Sequence, residues 1–365
     1  MIAPEFYKVN ISACIDYEHN LNEGSSIFQG KTMHPSYPLN ALSFTGIRNR
    51  KSTPTFFTRL ISGTAAKTLL AATTGLMMGV QAQAGDLAEF EESVSHHTVA
   101  TSGAKIHYAQ KGSGETVLFI HGFPDHWLTW WQQMEGLSSD HRVAAMDMRG
   151  FNLSDQPTAP EAYEITKLIA DVDAVIQDLG GGPVTLVGHD WGGFVAWNVA
   201  MQRPDLVTRL AIVNIPHPWA LAQALSSDPA QAEASQYVDF FRSPAAVKAI
   251  TREQVSAWVT DPDFAIRHDQ AMERSNLDAM LNYYRVLYPQ RPYSPYETPA
   301  LKITAPTLVA FGTQDPYLLV SGLNSTWDYV DAPVTLSVWP DAGHFAQHDQ
   351  PERLTRVLRD WIAAN

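Results

Sequence analysis

Three side chains able to attack carbon or move protons stand at the ends of apolar runs, in the order Asp190, Asp315, His344. Asp190 lies in Gly188-His189-Asp190-Trp191-Gly192-Gly193, between the apolar run Pro183–Val187 and the helix-forming stretch Phe194–Met201. Small residues around one polar residue at a strand-to-helix junction suit a sharp turn that lifts that side chain clear of its neighbours. A serine there would attack a carbonyl and form an acyl-enzyme. A carboxylate is suited instead to an sp³ carbon and leaves an alkyl ester on the protein. Asp315 follows the strand-like run Pro306–Phe311, and His344 follows Val334–Trp339. An isolated Asp or His is more often a surface residue or a satisfied core residue. Three of them in this order, each at the carboxyl end of a strand, read as nucleophile, orienting acid and base.

The segment His121-Gly122-Phe123-Pro124 closes another apolar run, Thr116–Ile120. The useful groups here are the backbone N–H of Phe123 and that of Trp191, aimed at the carboxylate oxygen that turns negative when an ester on Asp190 is hydrolysed. Pro124 is a candidate cis proline fixing this loop, and His121 reads as structural. Trp191, Phe123 and Trp127 are candidate pocket residues; for Trp127, as for Trp130, Trp131 and Trp219, core packing is an equal alternative. No phosphate-cradling glycine loop and no metal-ligand spacing occurs, so neither metal nor organic cofactor is expected.

These residues need a sheet to hold them. His97–Ala100 and Lys105–Tyr108 alternate as an opening hairpin. The continuous apolar runs Thr116–Ile120 and Arg142–Met146, the strand before Asp190, and Leu206–Asn214 then alternate with helical stretches at Trp127–Leu137 and Ile165–Leu179. That alternation predicts a mostly parallel sheet with helices on both faces. It stops at Ile215, where a helix-rich stretch with Tyr, Trp and Pro runs to about Leu301, and resumes with the last two strands and an amphipathic helix at Pro351–Ala363. The expected organisation is an α/β core of residues 85–214 and 302–365, interrupted by a helical cap at 215–301.

Residues 1–84 differ in kind. They carry seven Lys/Arg against four Asp/Glu, whereas the rest carries eighteen against thirty-four, within a total of −13. An acidic body argues against nucleic acid or an anionic membrane as partner. No acidic residue lies between Gly24 and Gly85, and the apolar stretch Thr68–Val80 precedes Ala82-Gln83-Ala84. A basic region, an apolar core and small residues at −3 and −1 predict an export leader cleaved after Ala84, hence a periplasmic or secreted protein, with an organelle transit peptide as the weaker alternative. The apolar stretch is too short to span a bilayer, so the mature protein is expected to lack a stable membrane span. The one cysteine, Cys14, lies in this leader, leaving the body without a disulfide or a thiol nucleophile.

On the motifs His121-Gly122-Phe123-Pro124 and Gly188-His189-Asp190-Trp191-Gly192, with Asp315 and His344, residues 90–364 resemble the soluble epoxide hydrolases of the α/β-hydrolase superfamily, relatives of the haloalkane dehalogenases. The resemblance implies an α/β-hydrolase fold with an inserted cap. It also implies two cap tyrosines that hydrogen-bond the epoxide oxygen and protonate it as the ring opens. Asn282-Tyr283-Tyr284-Arg285 matches one tyrosine motif and points to Tyr284; Phe241-Arg242-Ser243-Pro244, a few residues after Tyr237, matches the other. The implied reaction turns a small apolar epoxide and water into a diol through an ester on Asp190. A haloalkane dehalogenase using the same aspartate, and a non-catalytic ligand-binding member of the fold, are the alternatives. Phe123 stands where many dehalogenases carry a halide-holding Asn, so halide binding is half equipped. Near Trp191 and Phe194 the arginines that would hold a haloacid carboxylate are missing. The ordered Asp190, Asp315 and His344 speak against a mere binder.

Overall fold

The computed structural model describes residues 86–365; the expected leader, its expected cleavage site and Cys14 lie outside them. Eight strands form one sheet: β1 Ser95–Thr101, β2 Ala104–Lys111, β3 Thr116–Ile120, β4 Arg142–Met146, β5 Val184–His189, β6 Val207–Val213, β7 Thr307–Gly312 and β8 Val334–Trp339, in the order β1-β2-β4-β3-β5-β6-β7-β8. The opening hairpin turns at Gly103, where φ is +84°, and pairs Ser95 through Thr101 against Gln110 through Ala104. β2 joins β4 antiparallel, and every later pairing is parallel. The parallel strands β3 to β7 are the continuous apolar runs of the sequence, because helices cover both their faces. Alternate side chains divide between two cores: Leu118, Ile120, Leu186, Ile212 and Phe311 on one face, Val117, Phe119, Val187, Val213 and Ala310 on the other.

The carboxyl end of each parallel strand, β3 to β8, opens onto one rim of the sheet. Helix α1 (Leu87–Ser93) precedes β1; α2 (Trp131–Leu137) follows β3, α3 (Ile165–Asp178) follows β4, and α4 (Asp190–Gln202) follows β5. After β6 the chain leaves the sheet for eight helices, α5 Pro218–Ser227, α6 Pro229–Ala234, α7 Tyr237–Arg242, α8 Ala246–Ala249, α9 Arg252–Ser256, α10 Pro262–Arg274, α11 Leu277–Met280 and α12 Asn282–Val286, before β7 resumes it. The chain ends in α13 (Ala346–Asp349) and α14 (Pro351–Ala364), the latter burying Leu354, Leu358, Trp361 and Ile362 along one stripe. Among the described residues no helix is long and apolar enough to cross a membrane.

Three local departures from the sequence reading have physical causes. Helix α1 was hidden by the alternation that follows it; the Asp86 side chain caps it through Ala88 N–H at 2.9 Å, and Leu87 and Phe90, one turn apart, are buried. The stretch Trp127–Leu137 divides into a 3₁₀ turn over Trp127–Trp130 and α2. Helix α4 begins at Asp190 itself rather than at Phe194. Gly192 and Gly193 can open a helix here because the turn leaves no room for larger residues: a Cβ on Gly192 would stand 2.2 Å from the His121 carbonyl oxygen.

Candidate active site

At the junction of β5 and α4, Asp190 adopts φ +48°, a left-handed conformation that costs a non-glycine residue on the order of 1–3 kcal/mol and persists only where the surroundings enforce it. The enforcement is visible. A Cβ on Gly122 would meet Asp190 Cβ at 2.4 Å, and one on Gly188 would meet the Gly192 carbonyl at 2.6 Å. The loop after β3 and the elbow after β5 are therefore pressed together. The Phe123 N–H donates to Asp190 Oδ1 at 2.8 Å, and the Trp191 N–H also donates to this carboxylate. The carboxylate sits at the N-terminus of a 13-residue helix, where the helix dipole favours negative charge. Burial nevertheless raises the Asp190 pKa above the ordinary range, against the pull of His344 and the two N–H groups.

His344 lies beyond β8 and Asp315 beyond β7. The His344 Nδ1 is 2.7 Å from Asp315 Oδ2, so Nδ1 donates to that carboxylate and Nε2 faces Asp190 Oδ2 at 3.7 Å. Asp315 accepts three further bonds: from Tyr317 N–H at 2.8 Å and Leu318 N–H at 3.0 Å on Oδ1, and from Asn214 Nδ2 at 3.0 Å on Oδ2. Asn214, itself at φ +45° after β6, also accepts from Gly312 N–H at 3.0 Å, tying the ends of β6 and β7. Burial lowers the His344 pKa, but the carboxylates of Asp315 and Asp190 outweigh it and lift the imidazole to about 9. The backbone of His344 is held too: its carbonyl accepts from His189 Nε2 at 2.8 Å, and the other His189 nitrogen lies 3.3 Å from Gln347 Nε2.

The cap brings aromatic rings over this trio. Tyr284 on α12 stands edge-on to Trp191 with centroids 5.0 Å apart and to Phe123 at 5.4 Å. Tyr237 on α7 lies 6.0 Å from Tyr284 and 5.2 Å from Tyr317, whose ring is 5.4 Å from His344. Phe241, one turn after Tyr237, touches Phe123 and Tyr284 at 5.5 and 5.0 Å. Burial first, and then the nearby Asp190 charge among other groups, raise both phenols well above 10, so both keep their protons at neutral pH.

The structure thus gathers Asp190, Asp315, His344, Phe123, Trp191, Tyr237 and Tyr284 around one point, and it removes Trp127. That indole belongs to the core on the opposite face of the sheet, 6.4 Å from Phe90 and 5.3 Å from His96, with its backbone N–H on Asp147 Oδ1 at 3.0 Å. The chain turns away from the site directly after Pro124, whose peptide bond with Phe123 is cis; Trp130 and Trp131 follow Trp127 into that core. His121 is fully buried and accepts from Met148 N–H at 3.0 Å on Nε2, a structural position. Sequence reasoning used Phe241 only as a motif residue pointing to Tyr237, and missed Asn214, His189, Gln347 and Tyr317. Only Asn214 carried a signal, as an amide at a strand end, where the left-handed conformation is common for Asn.

Two carboxylates and an imidazole, in the chain order Asp190, Asp315, His344 and on three strand ends beneath a helical insertion between β6 and β7, define an α/β-hydrolase. Residues 115–351 match the family model of the alpha/beta hydrolase fold. Epoxide hydrolase 3 of Xenopus tropicalis is 32% identical over 281 residues, 72% of this chain and 75% of that protein. Epoxide hydrolase 2 of Caenorhabditis elegans is 30% identical over 288 residues, 73% of this chain and 80% of that protein. A crystal structure of a mutant epoxide hydrolase from Bacillus megaterium superposes with a TM-score of 0.68 at 29% identity, covering 73% of this chain and all of that one. The chain belongs to the epoxide hydrolase branch of the α/β-hydrolase family.

Proposed function

We propose that this enzyme opens a small apolar epoxide to a vicinal diol through an ester on Asp190. The observation that carries this reading is the position of Tyr284, edge-on to the two residues, Phe123 and Trp191, whose backbone N–H groups hold the Asp190 carboxylate. A proton donor across from a carboxylate nucleophile is what a strained ether needs and a halide does not.

Asp190 Oδ2, the oxygen not held by Phe123, attacks an epoxide carbon from the rear. The C–O bond of the ring breaks, its electron pair goes to the ring oxygen, and Tyr284 or Tyr237 supplies the proton. Oδ1 becomes the carbonyl oxygen of the resulting ester. His344 Nε2 then takes a proton from water, whose oxygen attacks Asp190 Cγ. The negative charge that develops on Oδ1 falls on the N–H groups of Phe123 and Trp191. Collapse breaks the Cγ–Oδ2 bond, His344 gives its proton to the departing Oδ2 as the diol leaves, and the proton left on the new Asp190 carboxyl returns to the tyrosinate, while Asp315 keeps the imidazole oriented and its charge supported. The rings of Phe123, Trp191, Tyr237, Phe241, Tyr284 and Tyr317 favour an apolar substrate.

The test is a trap. His344→Gln should alkylate but hydrolyse its ester slowly, so intact mass after mixing with an epoxide should rise by the mass of that epoxide, with the adduct on Asp190. An adduct formed only with haloalkanes, or none with any epoxide, would contradict the reading. We further propose, on the residue pattern of 1–84 alone, that this segment is an export leader; N-terminal sequencing of the protein secreted from its producing cell should then begin at Gly85.

A further inference from the structure

Tyr284 owes its place to a helix that cannot hold itself. Helix α12 has five residues, well below the length that is stable alone in water, and its last carbonyls find no partner within it. Arg242, the final residue of α7, reaches across to one of them and to two carbonyls in the chain just beyond the helix. Its Nε donates to the Tyr284 carbonyl at 2.9 Å, and its Nη2 donates to the Tyr288 carbonyl and, at 3.1 Å, to that of Pro289. Its guanidinium carbon lies 5.8 Å from the centroid of the Tyr288 ring. Among the described residues Arg242 forms no ion pair, and its hydrogen bonds go to main-chain carbonyls of one segment. Helix α7 has Tyr237 as its first residue and Arg242 as its last. One six-residue helix therefore carries the first phenol at one end and the clamp on the second at the other.

The clamp continues toward the triad. The Tyr288 hydroxyl donates to Ser235 Oγ at 2.8 Å, just before α7, and Ser235 Oγ donates to the Gln231 carbonyl at 2.9 Å. Gln231, fully buried, donates from Nε2 to the Tyr317 carbonyl and accepts from Leu319 N–H, each at 2.8 Å. Both partners lie in the loop that starts at Asp315.

We propose that Arg242 is a positioning residue that fixes the spacing of the Tyr237 and Tyr284 hydroxyls, and so sets the rate of ring opening without touching the hydrolysis of the ester. The inference rests on the epoxide reading, since ring opening is the step those phenols serve. A forked guanidinium satisfies three carbonyls from one side; a lysine ammonium on a flexible stem does not reproduce that geometry. Displacing a proton donor by about 1 Å can cost on the order of 100-fold in rate.

Rapid quench with styrene oxide and intact-mass detection separates formation of the alkyl-enzyme from its decay. For Arg242→Met the formation rate should fall roughly 10- to 100-fold while decay stays within about two-fold of the parent. In Arg242→Ala, added guanidinium should restore part of the formation rate. Arg242→Lys, which keeps the stem and charge if the other variants fail to fold, should show a smaller loss confined to the same step. Equal loss in both steps, or an unchanged formation rate in a folded variant, overturns the proposal. If the parent forms no adduct with any epoxide, the functional reading fails instead. The clamp is then judged by a crystal structure of Arg242→Met, in which an unmoved Tyr284 hydroxyl would overturn it.

Discussion

His344 stands between two carboxylates, and the order of chemical events changes which of them is charged. In the free enzyme Asp315 and Asp190 together lift its pKa from 6.5 to about 9, so at neutral pH it is an imidazolium and no base. Forming the proposed ester on Asp190 would remove one of those negative charges. The imidazole then loses affinity for its proton at the step that needs a base. The sign follows: below its pKa in the ester the histidine is protonated and hydrolysis is slow, and above it hydrolysis is fast. Single-turnover ester hydrolysis should therefore rise with pH and level off with a midpoint below about 9, whereas a pH-independent rate, or a midpoint higher than that of the free enzyme, would contradict the account. At this scale the sequence was informative for the groups proposed to react and silent for those that hold them. Asp190, Asp315 and His344 announce themselves by order and by strand ends. His189, whose ring holds the His344 carbonyl at 2.8 Å, is adjacent to the nucleophile in sequence, yet nothing in its surroundings names a partner 155 positions away.

The elbow shows what an element demands of its residues. Strand β5, fully buried, runs into α4 with no intervening loop, and the turn is narrow because the loop after β3 lies directly beneath it. A methyl group on Gly192 would stand 2.2 Å from the His121 carbonyl oxygen and 2.4 Å from that of Ile120. Gly192→Ala should therefore lower stability by at least about 1–3 kcal/mol, the usual range for overpacking, and pull Phe123 N–H away from Asp190; chemical denaturation together with the ester-hydrolysis rate measures both, and a stable, fully active variant would refute the close packing. The parallel strands were legible because burial on both faces leaves continuous apolar runs. Helices of four to six residues in the cap, such as α7, α8, α11 and α12, were legible only as a helix-rich stretch. Tertiary partners such as Arg242 fix where each begins and ends, and periodicity over one turn carries almost no information.

Among the described residues, two cores flank one sheet, and the one beneath the cap meets the proposed chemistry. The aromatic residues divide accordingly: Phe123, Trp191 and Tyr284 belong to the core beneath the cap, while Phe90, Trp127, Trp130 and Trp131 fill the other. The sequence could not separate these groups, because Trp127 is four residues from Phe123 and equally apolar; the sheet face each occupies decides its role. The second core makes α1 part of the fold. Phe90 is almost fully buried against Trp127 and Trp131, at 6.4 and 6.1 Å between ring centroids. Phe90→Ala should cost about 3–5 kcal/mol of stability and leave the ratio of ester formation to ester hydrolysis unchanged, read from equilibrium unfolding and single-turnover kinetics. A loss under about 1 kcal/mol would show that α1 is dispensable.

The central claim is that Asp190 is alkylated and that water attacks its carboxyl carbon rather than the epoxide. A single turnover in ¹⁸O-enriched water, with enzyme in excess over substrate, distinguishes the two routes. The account predicts an unlabelled diol and one heavy oxygen on the peptide that contains Asp190. A labelled diol from that first turnover, with an unlabelled Asp190 peptide, would contradict it.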